Sequence, residues 1–476
     1  MIVLVLEAST SSAKAMLVDT ENHTQQSMTQ PYRAGTANNP QSILEQTLDV
    51  GARVAASQSV SMIALGTTWH GLLFCNEEME VRSPLWNWSD TISQELCKQL
   101  RRDESYTQSF YQESGCMVHS IYPYFKLMHF KRQGIMKKTD KIADQGSYMF
   151  YQLTGSWFTS PSLVSGMGFL DIHSKTYTKR MESELGLSIE SQLPKLVRFG
   201  TTAPLSRKAA LRLGVKQGIP VLPCFPDGGL NQIGSDAIQS GIMTLSMGTS
   251  GAMRLTTEKP YLPQDMSSWC YLSPKEEYLS GAATSGCCNC VDWAKERFFP
   301  KETTYAEIEE QMDIRRQIPT YLPFLYGERC PGWNDERTAS FHNLRPHHTP
   351  IDRYQAVLEG VVYNLYQCFL EIRESHFPID TIKLSGGVLN SKAWKQMCCD
   401  IFNFPLTEDS ATQSSLLGGA KLALECLGES LDINDFFVNN GTLLTPNEES
   451  VPFYQQRYAD YLHWYEKAQV MSMNKE

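Results

Sequence analysis

The apolar run Ile2–Leu6 ends at Glu7 and opens into Ala8-Ser9-Thr10-Ser11-Ser12-Ala13-Lys14, small and rich in hydroxyls, before Met16-Leu17-Val18 turns apolar again. That order predicts strand, tight turn, strand: a hairpin whose turn can wrap an anion. The same order returns in the second half, where Ile242–Ser246 leads into Met247-Gly248-Thr249-Ser250-Gly251 and then Ala252–Leu255. A chain carrying this hairpin near the start of each half is constrained to two units of one plan. The duplication is structural, without an obvious sequence repeat.

The length agrees. At 476 residues the chain exceeds one ordinary core, and a span of roughly 100–200 residues per domain predicts two to four domains. Hydrophobic periodicity predicts a helix over Pro40–Ser57 and a buried strand over Met62–Leu65 that ends in Gly66-Thr67-Thr68-Trp69-His70-Gly71. Leu72–Cys75 reads as a further strand, the stretch from Asp90 to about Phe150 as mostly helix, and Ser160–Leu170 as a loop. Val221–Phe225 is a strand delivering Pro226-Asp227-Gly228-Gly229, and Asp-Gly-Gly by itself reads as a turn. Farther on come a long helix at Asp352–Glu374, a strand at Thr381–Leu384 and helices at Lys392–Phe402 and Gln413–Leu427. Alternating strands and helices argue for α/β layers, with the best boundary near Ser235–Ser240.

Charge and cysteine usage exclude several classes. A net charge of −10 argues against a nucleic-acid-binding face, which needs a basic stripe. The opening MIVLVLEAST lacks the charged, apolar and small-residue regions of a signal peptide. No uncharged apolar run reaches the roughly 18 residues of a membrane span, so a cytoplasmic protein is expected. The 13 cysteines are an odd number, which favours free thiols in a reducing compartment. Cys287 and Cys290 have the spacing of a metal pair but lack a second pair, so they read as small buried hydrophobes.

The remaining chemistry points to phosphoryl transfer, which needs a cradle for phosphates, a carboxylate for a divalent metal and a second carboxylate to accept a proton. The small residues of Ala8–Ala13 let the backbone approach a triphosphate, Lys14 adds a point charge, and Glu7 at the strand end can orient Mg2+ directly or through water. Met247–Gly251 supplies a second cradle. Asp227, one strand earlier, is the candidate proton acceptor. A Walker loop, GxxxxGKS or GxxxxGKT, is absent, which disfavours a P-loop kinase.

Taken together these segments resemble the FGGY carbohydrate kinases, nearly end to end. Glu7–Lys14 is similar to the family's first phosphate motif, Asp-x-Gly-Thr-Ser/Thr-x-x-Lys/Arg, and Leu245–Gly251 to the second. Asp227 in Asp227-Gly228-Gly229-Leu230-Asn231-Gln232-Ile233-Gly234 falls on the family's base. Lys383-Leu384-Ser385-Gly386-Gly387 with Ser391 resembles the adenosine motif, and Tyr326-Gly327-Glu328-Arg329 and Leu358-Glu359-Gly360 resemble other family segments. Within the family, Trp69-His70-Gly71, Trp88-Ser89-Asp90-Thr91, Gly115-Cys116-Met117-Val118-His119 and Gly327-Glu328-Arg329-Cys330-Pro331-Gly332-Trp333 look most like the gluconate kinases. Xylulose kinases share the His-Gly pair.

The resemblance implies an α/β fold of two actin-like (ribonuclease H-like) ATPase domains, 1–238 and 239–476, each a mixed five-stranded sheet flanked by helices, around a central cleft. It implies ATP bound by Ser9, Thr10, Ser11, Lys14, Gly248, Thr249, Ser250, Ser385, Gly386, Gly387 and Ser391, Mg2+ oriented by Glu7, and Asp227 as catalytic base. A small sugar or sugar acid would meet Trp69, His70, Gly71, Asp90 and Asp227. The sequence departs from the family at Glu7 (usually Asp), Ser9 (usually Gly), Ile92 (commonly Arg) and His129 (commonly Trp). Gluconate is the favoured acceptor, with xylulose or another ketose or polyol as the alternative. Two other classes share the phosphate hairpins: an ATP-switching actin-like protein and a sugar-binding pseudokinase. Homodimerisation is left open.

Overall fold

The computed structural model describes residues 1–409, 413–430 and 441–473, with side chains through residue 468. The strand Ile2–Ala8 (β1) has six of its seven residues buried. Sheets covered on both faces carry such near-continuous apolar strands. β1 pairs antiparallel with Ser12–Asp19 (β2), Glu7 facing Lys14 and Ala8 facing Ala13. Thr24–Pro31 (β3) is polar, largely exposed and paired to β2. The helix Pro40–Ala55 (α1) starts where Asn39 accepts a hydrogen bond from Ser42 N and Pro40 fits the first turn. Met62–Thr67 (β4) runs parallel to β1, and Pro220–Pro226 (β5) runs parallel to β4.

The second sheet repeats the plan. Gly241–Met247 (β6) and Gly251–Thr257 (β7) form the second hairpin. Trp269–Leu272 (β8) and Tyr278–Thr284 (β9) extend it beyond β7, and Ile379–Gly386 (β10) runs parallel to β6 with Leu406–Glu408 (β11) beyond. The expectation was five strands per sheet; the structure has six and seven. The additions are short edge pieces: Ala203–Pro204 beside β5, Leu443–Leu444 beside β11, and β8. Edge strands this short carry little periodicity to read.

Two further segments differ from expectation. Ser160–Leu170 was expected to be a loop, but Pro161–Ser165 is a short helix capped by the Ser160 side chain, which accepts from Leu163 N. Its hydroxyls reach the second sheet: Ser162 Oγ donates to Leu272 O at 2.8 Å, and Ser165 Oγ accepts from Leu272 N at 3.0 Å. Asp227-Gly228-Gly229 reads as a turn in isolation, but it begins the helix Asp227–Gly234 (α2).

α2 crosses the helix Ser414–Cys426 (α3), which follows the second sheet in the chain yet covers the first. A second hydrophobic core forms there, from Leu416, Leu417, Ala420 and Leu424 of α3, Val3 and Val5 of β1, Ala64 of β4 and Leu230 of α2. The two helix backbones touch. A methyl group on Gly234 would collide with the Ser414 carbonyl, one on Gly418 with the Leu230 carbonyl, and one on Gly419 would lie 2.6 Å from Val5 Cγ1. Among the described residues no helix is long and apolar enough to cross a membrane. Because the neighbour of Gly418 is backbone, Gly418→Ala is expected to cost about 3 kcal/mol of overpacking strain; chemical denaturation beside wild type measures it.

Candidate active site

A cavity of about 430 Å3 lies where the turns of both hairpins, β5 and β8 converge. Thr10 and Ser11 of the first turn and Gly248, Thr249 and Ser250 of the second line it together. Trp88 forms part of the wall and donates from Nε1 to Thr10 Oγ1 at 3.3 Å.

Asp227 lines the same cavity as the first residue of α2. Its Oδ1 accepts from Gly228 N at 2.7 Å. Burial pushes the carboxyl up, and the neighbouring Glu7 charge pushes it further, against Arg254, the Gly228 N–H and Lys14; the result is raised to about 6. Gly228 is required beside it: a Cβ there would collide with the Trp69 ring and sit 2.9 Å from the Arg254 guanidinium.

Glu7 stands behind the first turn, fully enclosed. Its Oε1 accepts from Lys14 Nζ at 2.8 Å and from Ser9 Oγ at 2.5 Å. Burial alone would push the carboxyl up; the Lys14 ammonium, with hydrogen bonds from Lys14, Ser415 and Ser9, outweighs it and holds the group below the usual range. Lys14 answers in kind, lowered by burial but raised overall by Glu7. Oε2 makes no geometrically good hydrogen bond among the described residues, although the Ser415 hydroxyl helps to stabilise its charge. Mg2+ is commonly held by one or two carboxylates with substrate phosphates and water completing the octahedron. Glu7, with one oxygen unshared, and Asp227 fit that donor set; among the described residues no cluster of three or more metal-ligating side chains exists.

His70 has a positive φ of 68° and its Nδ1 lies on the Gly166 carbonyl. A carbonyl only accepts, so Nδ1 carries the proton and Nε2 is left as an acceptor. Burial first, then the Arg329 charge, drives the imidazole well below its ordinary range, so it is neutral. Trp69 is fixed by Nε1 donating to Ser162 O at 3.0 Å and packs 5.1 Å from Tyr271, which stacks on Trp269 at 4.2 Å. These three rings form an aromatic wall of the cavity.

The adenosine-motif residues lie elsewhere. Ser385 and Gly386 pair with Ser246 and Met247 at the end of β10. Gly386 has φ +96°, and a Cβ there would meet Met247 O at 2.5 Å. Ser391 caps the next helix, accepting from Trp394 N at 2.9 Å, and donates to Glu309 Oε2 at 2.6 Å. Beside it runs a separate groove of about 730 Å3 with Tyr305, Glu309 and Asn390 in its walls. Two expected substrate residues are not among those lining the cavity. Gly71 is buried behind His70. Asp90 folds back on its own turn, Oδ2 accepting from Asn87 N at 2.6 Å. Lys126, lowered to about 8 mainly by burial, braces that turn through Asn87 O at 2.8 Å.

Arg254, Arg329, Trp269 and Tyr271 line the cavity without having been expected there. Arg254 is the only charged residue of β7, between the fully buried Met253 and Leu255. A lone charge in a strand leaving a phosphate turn is the signal that could have found it.

Residues 2–234 match the N-terminal domain of the FGGY family of carbohydrate kinases, and residues 243–425 match its C-terminal domain. The chain belongs to that family. This FGGY kinase is 25% identical to the gluconokinase of Bacillus subtilis (strain 168), over 95% of this chain and 93% of that one. It is 23% identical to the xylulose kinase of the same organism, over 97% and 96%. Its fold matches that of the gluconate kinase from Lactobacillus acidophilus with a TM-score of 0.90, covering 98% of both chains at 23% identity. It is therefore a phosphotransferase of the sugar and sugar-acid kinases, with the two-domain actin-like fold.

In this FGGY kinase the Glu7–Lys14 pair is buried, so removing one partner strands the other. Lys14→Met is expected to cost about 3 kcal/mol, and adding Glu7→Gln to recover most of it. Urea denaturation of the single and double variants measures both; a double variant no more stable than Lys14→Met would remove the ion pair as the cause.

Proposed function

We propose that the chain transfers the γ-phosphoryl group of ATP to a terminal hydroxyl of a small sugar acid of the gluconate type, with Asp227 as the base, in a cleft between residues 1–238 and 239–476. The observation that carries this reading is Asp227 on the same cavity wall as both hydroxyl-rich turns. A carboxylate there can take the proton of a bound hydroxyl while the turns hold the phosphates on which it acts.

The chemistry follows from the residues. Near neutral pH the Asp227 carboxyl, raised to about 6, is mostly ionised, yet more basic than an ordinary Asp and so a better proton acceptor. Backbone N–H groups and hydroxyls of Thr10, Ser11 and Gly248–Ser250 suit the phosphate oxygens. The groove beside Ser391 suits adenosine. Mg2+, where Glu7 and Asp227 hold it, would offset phosphate charge. Neutral His70 accepts a hydrogen bond from a substrate hydroxyl through Nε2, and the faces of Trp69, Trp269 and Tyr271 suit C–H edges. Contacts from Ser162 to Leu272 and from Tyr122 Oη to Tyr271 Oη at 2.8 Å hold the cleft closed, which keeps water from competing for the phosphoryl group. A neutral ketose such as xylulose is the second reading, favoured by the likeness to xylulose kinases over nearly the whole chain. The cytoplasm is the location that fits a metabolic kinase of this kind.

The test is ADP release with Mg-ATP against gluconate, xylulose, ribulose, glycerol and erythritol. One acceptor should stimulate release, and Asp227→Asn should cut kcat by about 100- to 10,000-fold. Protonation removes the base, so kcat/KM should be flat above pH 6 and fall about tenfold per unit below it. Release without any acceptor, unchanged in Asp227→Asn, would instead mark an ATP switch.

A further inference from the structure

We infer that Arg254 and Arg329 form a carboxylate-binding pair in the cavity, so that the acceptor is a polyhydroxy acid and a neutral sugar is a poor substitute. This rests on the kinase reading above and narrows its substrate class.

The argument begins with charge balance. Several enclosed arginines meet carboxylates: Arg337 meets Glu328 at 3.2 Å, Arg457 meets Glu359 at 2.5 Å, and Arg180 meets Glu113 at 2.6 Å, while Arg353, outside the cavity, has its Nε buried without a partner. Among the described residues Arg254 and Arg329 have no ion pair, and the Nε atom of each is buried without a hydrogen-bond partner. Both line the cavity. They are also neighbours of each other, since Arg329 acts on Arg254 as a like charge, added to its burial and opposed by Asp227 and Tyr271. Two guanidinium groups lining one partly dry pocket with only Asp227 to offset Arg254 favour a further anion there. A guanidinium pair offers the planar, bidentate donors that match a carboxylate.

Position then separates this anion from the nucleotide. Arg254 lies three residues beyond Gly251 on an extended strand, roughly 10 Å from the phosphate turn. Arg329 acts on His70, which forms edge-to-face contacts with Tyr122 and Tyr271. The pair thus belongs with His70 and the aromatic side chains of the cavity. Gly228 leaves the space that Arg254 and Trp69 fill, so the guanidinium is held by packing and its donors remain unspent. An acceptor with its carboxylate on the pair runs its hydroxyl chain along the aromatic wall and brings its other end to Asp227.

The experiment measures binding without nucleotide, by calorimetry and by tryptophan fluorescence, since Trp69, Trp88 and Trp269 line the cavity. The ligands are D-gluconate, D-galactonate, D-xylulose and D-glucitol, the last having CH2OH where gluconate has its carboxylate. At least one acid should bind about 100-fold more tightly than glucitol to wild type. Arg254→Gln and Arg329→Gln should each weaken that acid by about 30- to 1,000-fold, leave glucitol unchanged, and keep ADP affinity within about twofold. Acid and polyol binding alike, or variants that weaken both equally, would overturn the pair. Should the variants lose ADP binding through misfolding, the wild-type comparison of acid with polyol still decides. An acid that binds through the arginines without releasing ADP from ATP keeps the pair and sinks the kinase reading. Turnover of xylulose with no binding of either acid keeps the kinase reading and sinks the pair.

Discussion

The backbone contact between α2 and α3 sets the geometry of everything above it. Gly234 against Ser414 and Gly418 against Leu230 leave no room for a Cβ on either glycine, so the crossing has essentially one distance. α2 begins at Asp227, and α3 rests on β1, the strand that carries Glu7, where Gly419 meets Val5. The two carboxylates are therefore fixed relative to each other by packing that neither contributes to. Lys421 on Asp236 closes the same joint, and Ser235 on Asp409 with Lys383 on the Ser235 carbonyl ties it to the second sheet. The first half also meets β8 through the buried Tyr122–Tyr271 hydrogen bond and Cys270 N donating to Gly115 O, and at the surface through an ion pair between Lys98 and Glu336. Exposed pairs of that sort contribute little.

The two departures from the family at the first turn meet in one hydrogen bond. Glu7 is a methylene longer than the usual Asp, and Ser9 adds a hydroxyl where Gly is usual. In the fold the added hydroxyl donates to the longer carboxylate at 2.5 Å, while Lys14 donates to the same oxygen at 2.8 Å. The turn itself remains closed, with Ser9 N donating to Ser12 O at 3.0 Å. Read one at a time, each substitution is a defect in a phosphate loop. Read together, they complement each other: Lys14 does most to hold the enclosed carboxylate ionised, and the Ser9 hydroxyl adds a smaller share.

What the sequence made legible had a local cause. Both hairpins follow from an apolar run, small residues and a second apolar run, and the long helices follow from period and caps, as at Thr349 before Pro350–Arg373. Asp227 was legible through its place between a buried strand and the second hairpin, although its helix was hidden by two glycines that disfavour helix on their own. They are tolerated because Trp69 and Arg254 need the space at Gly228 and Pro274 crowds Gly229. Asp90 and Gly71 stayed unresolved in role because their motif brings Trp88 and His70 to the cavity and spends its other residues on the turn and the packing behind it. The arginine pair was invisible for a simpler reason. Its members are far apart in the chain, and neither is unusual until the fold places both on one cavity with no ion pair among the described residues.

On the proposed reading, with Asp227 as the base and a carboxylate on the arginine pair, substrate recognition is coupled to catalysis. Asp227 is pushed up by burial and by Glu7, and held down in part by Arg254. A carboxylate bound to Arg254 spends some of that positive charge and weakens its pull on Asp227. The base is then stronger in the complex than in the free protein, at the moment its target hydroxyl arrives. His70 moves the other way: it is kept neutral partly by Arg329, and as an acid screens that charge, burial alone still keeps the ring uncharged and able to accept. A neutral sugar fills the same volume but leaves both guanidinium charges in place, so Asp227 remains the weaker base. Selectivity for an acid would thus appear in kcat as well as in affinity, with the acid limb of kcat lying above that of kcat/KM.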